Sequence, residues 1–155
     1  MKRLRVLARR SRGDLKMRIL LDTSFLLPIV GIRVKGVEKL LEGLWTMYRR
    51  GEVEVYYTEL NLLEIAWKLS KTRYEPDIVM KGLMSIERNF IKAPLTYTSI
   101  AKALELRKKG FNDLIDLLLY AIAYENKLQL LTLDVALIKF LEGVGEDMSI
   151  IITAL

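Results

Sequence analysis

The chain has 155 residues, 52% hydrophobic and 28% charged, which suits one domain with a sizeable core and is too apolar for a disordered chain. It contains neither cysteine nor histidine, which excludes disulfide frameworks, thiolate nucleophiles, Cys/His zinc sites and every Ser-His-Asp triad. The net charge of +6 is concentrated: eight basic side chains against the single acid Asp14 lie within the first 18 residues, so the basicity is not that of a folded nucleic-acid-binding face.

Residues 1–16 read as a flexible basic leader, either an arm that adds phosphate affinity or the result of a start upstream of Met17. Residues 17–155 read as the folded unit. No apolar run approaches the roughly 18 residues a membrane helix needs, and no signal peptide is evident. The expectation is a cytoplasmic protein without a membrane anchor.

Arg18 to Asp22 reads as a buried strand ending in an acid. Ser24 to Ile29 reads as a short helix closed by Pro28 and Gly31. Val34 to Arg50 has apolar residues at helical spacing and ends at Gly51. Glu54 to Tyr57 is strand-like, and Thr58 can cap a helix over Leu60 to Leu69. Asp77 to Arg88 follows Pro76 as another helix. Ile91 to Leu95 is a short strand that Pro94 confines to a sheet edge. Ser99 to Lys109 and the apolar Asn112 to Asn126 are helices. Gln129 to Leu133 is a strand leading into Asp134, Val135 to Leu141 is a helix, and Ser149 to Thr153 is the last strand. Strands alternating with helices predict an α/β fold with a mostly parallel central sheet. Such sheets place ligands at the carboxyl ends of their strands, near the topological switch point.

Four acids stand out against this pattern. Asp22 and Asp134 each close an apolar strand, where an acid caps the next helix as readily as it serves a site. Glu64 falls in register with Leu60, Leu63 and Trp67, the apolar stripe of its helix, which predicts a core-facing carboxylate. Asp116 sits among Leu114, Ile115, Leu117, Leu118 and Leu119, where an unpaired charge is costly, and a bound cation or a buried ion pair must compensate it. Asp113 lies one turn earlier, where the helix dipole favours an acid. Clustered carboxylates repel by about 4 kcal/mol per pair at 4 Å and an effective dielectric of 20, so the set predicts a shared hard divalent ion such as magnesium or manganese.

The segments Ile19-Leu20-Leu21-Asp22-Thr23-Ser24, Thr58 to Glu64, Asp116 to Ala123 and Leu131-Thr132-Leu133-Asp134 together resemble the PIN-domain family, and more narrowly the VapC-type ribonuclease toxins. The resemblance spans about residues 17–155, with Ser24 where many members carry asparagine. It implies a three-layer α/β/α fold and a metal-dependent endoribonuclease whose catalytic residues are Asp22, Glu64, Asp116 and Asp134. Asp22, Asp116 and Asp134 would ligate Mg2+ or Mn2+, with Glu64 and Asp113 as further candidates. The hydroxyls of Thr23, Ser24 and Thr132 would lie near the metal or phosphate, or would serve as ordinary caps. The same resemblance implies an RNA substrate, an antitoxin partner and a homodimer. Two rival readings stand beside it. A phosphatase using Asp22 would want a second acid where Ser24 stands, and a PIN-like scaffold would bind RNA or protein without cutting.

Overall fold

A computed structural model of the chain describes residues 16–155, so the leader reading falls almost wholly outside the described residues. Five strands, β1 (Met17–Leu21), β2 (Val53–Tyr57), β3 (Ile91–Lys92), β4 (Gln129–Leu131) and β5 (Ile151–Ile152), form one sheet. Their order is β3-β2-β1-β4-β5 and every pairing is parallel. The central strand is apolar along its length because both of its faces are covered. Ile19 and Leu21 enter one core and Leu20 enters the other.

Helices α1 (Glu38–Arg49), α2 (Glu59–Leu69) and α3 (Pro76–Asn89) pack on the first face through Leu41, Leu44, Ile65, Leu69, Val79 and Ile86. Helices α4 (Tyr97–Lys108), α5 (Leu114–Asn126) and α6 (Val135–Gly143) pack on the second. The result is the parallel α/β sheet the alternating pattern predicts, in the three-layer α/β/α arrangement the family resemblance implies. The chain runs outward from β1 through β2 to β3, then returns to the other side of β1 for β4 and β5. The order therefore reverses between β1 and β4, and a ligand crevice is expected at their carboxyl ends.

Several boundaries differ from the sequence reading. The helix expected over Ser24 to Ile29 is two short 3-10 turns, Thr23–Phe25 and Leu27–Val30, with Pro28 in the first turn of the second and Gly31 closing it at φ 90°. A run this short, with a proline that offers no N–H, cannot build a full α-helical ladder. The next helix begins at Glu38 rather than Val34, because Gly36 at φ 87° breaks the run before it. The third strand keeps only two residues and lies at the sheet edge, as Pro94 dictates. The last strand likewise spans only two residues, with a 3-10 turn at Met148–Ile150 before it.

One close approach ties this layer to the chain leaving β1. A Cβ at Gly82 would come within 2.3 Å of the Ile29 carbonyl oxygen, so α3 packs backbone to backbone on the turns that follow Asp22. No helix among the described residues is long and apolar enough to cross a membrane.

Candidate active site

Asp22 directly follows β1, and its N–H donates to the Leu131 carbonyl at 3.0 Å, so the ladder between β1 and β4 continues to the edge of the crevice. On the β4 side, Thr132 follows the strand and its Oγ1 donates to Asp22 Oδ2 at 3.1 Å. The same Thr132 Oγ1 accepts from the Asp134 N–H at 3.1 Å. Thr132 is buried, so this hydroxyl fixes both acids at the switch point. Asp134 then caps α6 by accepting from the Leu137 N–H at 3.2 Å. The turn after Asp22 carries no such cap bond, and the Asp22 carboxylate is held instead by the Thr132 hydroxyl from across the crevice.

The first face contributes through α2. Thr58 and Asn61 form a reciprocal capping box at its start. Asn61 is fully buried, and its Nδ2 donates to the Leu21 carbonyl at 3.2 Å and to Thr23 Oγ1 at 2.9 Å. Thr23 Oγ1 in turn donates to Glu64 Oε1 at 2.5 Å. A chain of hydrogen bonds thus runs from the helix cap through Asn61 and Thr23 to Glu64 and holds that carboxylate towards β1. The second face contributes the start of α5, which Asp113 caps by accepting from the Asp116 N–H at 3.2 Å.

These groups press on one another electrostatically. Burial raises the Asp22 carboxyl above its ordinary value and Asp134 adds to the shift, while the Thr132 hydroxyl and the backbone N–H groups of Thr23 and Ser24 oppose it. Burial also raises Glu64, against the lowering effect of the Thr23 hydrogen bond, and the charges of Asp22 and Asp113 push it further up. Asp116 is the most perturbed. Burial first, then repulsion from Asp113 and Asp22 and the hydrogen bond and charge of Asp134, push it up to about 8. Near neutral pH the Asp116 carboxyl therefore keeps its proton, placed against Asp134. The ion pairs among the described residues, Lys92–Glu59, Lys102–Glu146 and Lys109–Glu105, include none of these acids.

The donors are all carboxylate and hydroxyl oxygens, uncompensated by a described cation, which is the chemistry that suits a hard divalent ion. Among the described residues no three acidic side chains are gathered closely enough to hold an ion. The fold brings the donors to one end of the sheet without forming a closed coordination shell.

The structure corrects three of the sequence arguments. Leu63 and Trp67 are more than 60% exposed, and the buried side of α2 is Asn61, Ile65 and Leu69. Glu64 is half-buried because it faces the crevice, not because it shares an apolar stripe. Asp113 is the residue before α5 rather than part of its first turn, and it is exposed. Asp116 lies at the open first turn of α5, half-buried, whereas Leu117 to Ala123 make the fully enclosed stretch. Of the three hydroxyl residues, Thr23 and Thr132 bond to site carboxylates, while Ser24 contributes through its backbone. Sequence reasoning missed Asn61. Its available signal was the spacing Thr58-x-x-Asn61 at a helix start.

Comparison with known proteins bears on the family and the fold. The family model described as PIN domain matches residues 19–140. The fold is similar to that of VapBC2 from Rickettsia felis bound to a DNA fragment from their promoter, at 15% identity and TM-score 0.61, covering 80% of this chain and 93% of that one. It is similar to VapC20 from Mycobacterium tuberculosis, a sarcin-ricin loop cleaving toxin, at 16% identity and TM-score 0.60, covering 83% and 96%. It is also similar to a chain of a toxin-antitoxin complex from Klebsiella pneumoniae, at 16% identity and TM-score 0.61, covering 87% and 96%. No curated protein matches the sequence.

Proposed function

The chain belongs to the PIN-domain family, and from that premise we propose that it is a magnesium- or manganese-dependent endoribonuclease, the cytoplasmic toxin of a toxin–antitoxin pair. One observation carries the reading. Asp22, Glu64 and Asp116 are all pushed towards their protonated forms by burial and by neighbouring carboxylates, at the switch point of a parallel sheet, with no described ion pair to relieve them. Perturbed acids in a crevice of this kind mark a functional site.

Asp22, Asp116 and Asp134 would hold the ion, with Glu64 and the exposed Asp113 at its margin. A divalent ion there would activate water and stabilise charge on the attacked phosphate and the leaving oxygen. The chain's own contribution is orientation. Thr132 holds one Asp22 oxygen, and Asn61 holds Thr23, which holds Glu64, so neither carboxylate is free to turn away. The proton that Asp116 keeps in the metal-free site must leave when a cation binds, so binding is favoured by rising pH. The structural likeness to toxins of toxin–antitoxin systems supports an antitoxin partner, and a homodimer completes the reading.

The test is a cleavage time course on structured and single-stranded RNAs with manganese, magnesium or chelator, for wild type and Asp116→Asn. Metal-dependent cutting that the substitution abolishes is the expected result. A folded, metal-binding wild type that binds RNA but cuts none of it would favour a non-catalytic scaffold.

A further inference from the structure

Glu64, Trp67 and Lys68 lie on α2, and Lys71 follows just beyond its last residue, Leu69. Spacings of three, four and seven residues put these side chains on one helical face. With Thr72 they line one open groove of about 420 Å³. Trp67 is 64% exposed, and Lys71 Nζ stands 4.9 Å from the centre of its ring. Lys68 and Lys71 are exposed as well. The indole does no core packing here, since α2 buries Ile65 and Leu69 on its other side. The backbone beneath the groove is tied at the end of α2. Ser70 Oγ donates to the Trp67 carbonyl at 2.6 Å, and Thr72 Oγ1 donates to the Lys68 carbonyl at 2.9 Å.

We propose that Trp67, Lys68 and Lys71 form a nucleotide-binding platform beside the candidate centre, on which one unpaired base of the RNA substrate stacks while its phosphates meet the two ammonium groups. The inference rests on the nuclease reading and states which form of RNA that site takes. Every base offers a π face to an exposed indole, and an aromatic interleaved with cations is the chemistry of single-strand binding. A duplex keeps its base faces stacked, so the platform selects an unpaired segment on the Glu64 side of the scissile phosphate. Lys71 now covers the ring, and a base that takes its place frees the ammonium for the adjoining phosphate. Charge complementarity favours this occupant. The two lysines are the cationic edge of a groove that Glu64 closes on the side of the candidate centre, so phosphates are drawn to the outer edge of the site and away from its carboxylates.

The chain has two tryptophans, and Trp45 is stacked against Phe90 at 5.7 Å, so Trp45→Phe leaves Trp67 as the sole reporter. That protein is titrated, in chelator, with an unstructured RNA of about eight nucleotides and with a blunt duplex of matching sequence. Single strands quench Trp67 emission and the duplex does not. With labelled RNA, Trp67→Ala weakens binding about tenfold while Trp67→Phe keeps most of it. Lys68→Gln combined with Lys71→Gln flattens the logarithmic salt dependence by roughly 1.4. Unchanged affinity in Trp67→Ala, with unquenched emission in the reporter, overturns the platform. So does a Trp67→Ala variant that binds RNA normally but changes its oligomeric state, which assigns the surface to a protein contact. Cutting at an unchanged KM in Trp67→Ala sinks the platform alone. RNA binding through Trp67 without any cutting sinks the nuclease reading and leaves the platform standing.

Discussion

Replacing Asp116 by asparagine should stabilise the metal-free protein, and the size of the effect should depend on pH in a set direction. The Asp116 carboxyl has an ordinary value of 3.8 and is pushed up to about 8 in the fold. Between those values the folded chain keeps a proton that the unfolded chain has lost. Stability is therefore fully present below about pH 4 and is lost as pH rises through about 8, with a limiting slope of about 1.4 kcal/mol per pH unit. Asp116 is only half-buried, and solvent screens much of the repulsion, so the retained effect at pH 8 is about 1 to 3 kcal/mol. For a chain of this size that is roughly 3 to 10 °C in Tm. Asparagine mimics the protonated acid, so Asp116→Asn should match wild type at pH 4 and exceed it at pH 8 in chelator. The variant keeps a weaker slope of the same sign, because Asp22 and Glu64 are also raised. Thermal unfolding across that pH range reads the difference. A variant no more stable than wild type at pH 8 would show that Asp116 is already relieved of its neighbours' charge, and the reasoning would fail.

Three other perturbations follow from the same geometry. Magnesium or manganese should raise the Tm of wild type more at pH 8 than at pH 5, since protons compete for the same oxygens, and should raise that of Asp116→Asn much less; equal shifts in both proteins would contradict the site. Thr23→Val removes the donor to Glu64 and the acceptor for Asn61. It should cost about 1 to 3 kcal/mol in urea unfolding and reduce cleavage, whereas Thr23→Ser should keep most of both; a valine variant indistinguishable from wild type would count against the relay. Gly82→Ala drives a methyl group into the Ile29 carbonyl and should lower stability by about 1 to 3 kcal/mol, which an unshifted Tm would disprove.

The sheet and its helices were readable because buried parallel strands are apolar without interruption and helices repeat their apolar residues at 3.6. Asp22 and Asp134 were readable for a related reason: each stands where an apolar strand stops. Glu64 was reached by a faulty route. Hydrophobic spacing reports that a helix has an apolar face, not which face the protein covers, and on α2 the apolar face of Leu63 and Trp67 is turned outward. Asn61 was hidden because a polar residue at a helix start reads as a surface cap, whereas this one is fully buried beneath the crevice. The roles of Thr23 and Thr132 depend on partners 41 and 110 residues away, contacts that no local pattern reveals.

The central claim is that the acids at the carboxyl ends of β1 and β4, with Asp116, hold the divalent ion that RNA cleavage needs. It is tested most directly by titrating manganese into chelator-stripped protein by calorimetry while the same samples are assayed for RNA cleavage. Binding and cleavage should rise with a common midpoint in wild type, and both should be lost in Asp116→Asn. Cleavage that persists in chelator, or manganese binding that survives the substitution unchanged, would contradict it.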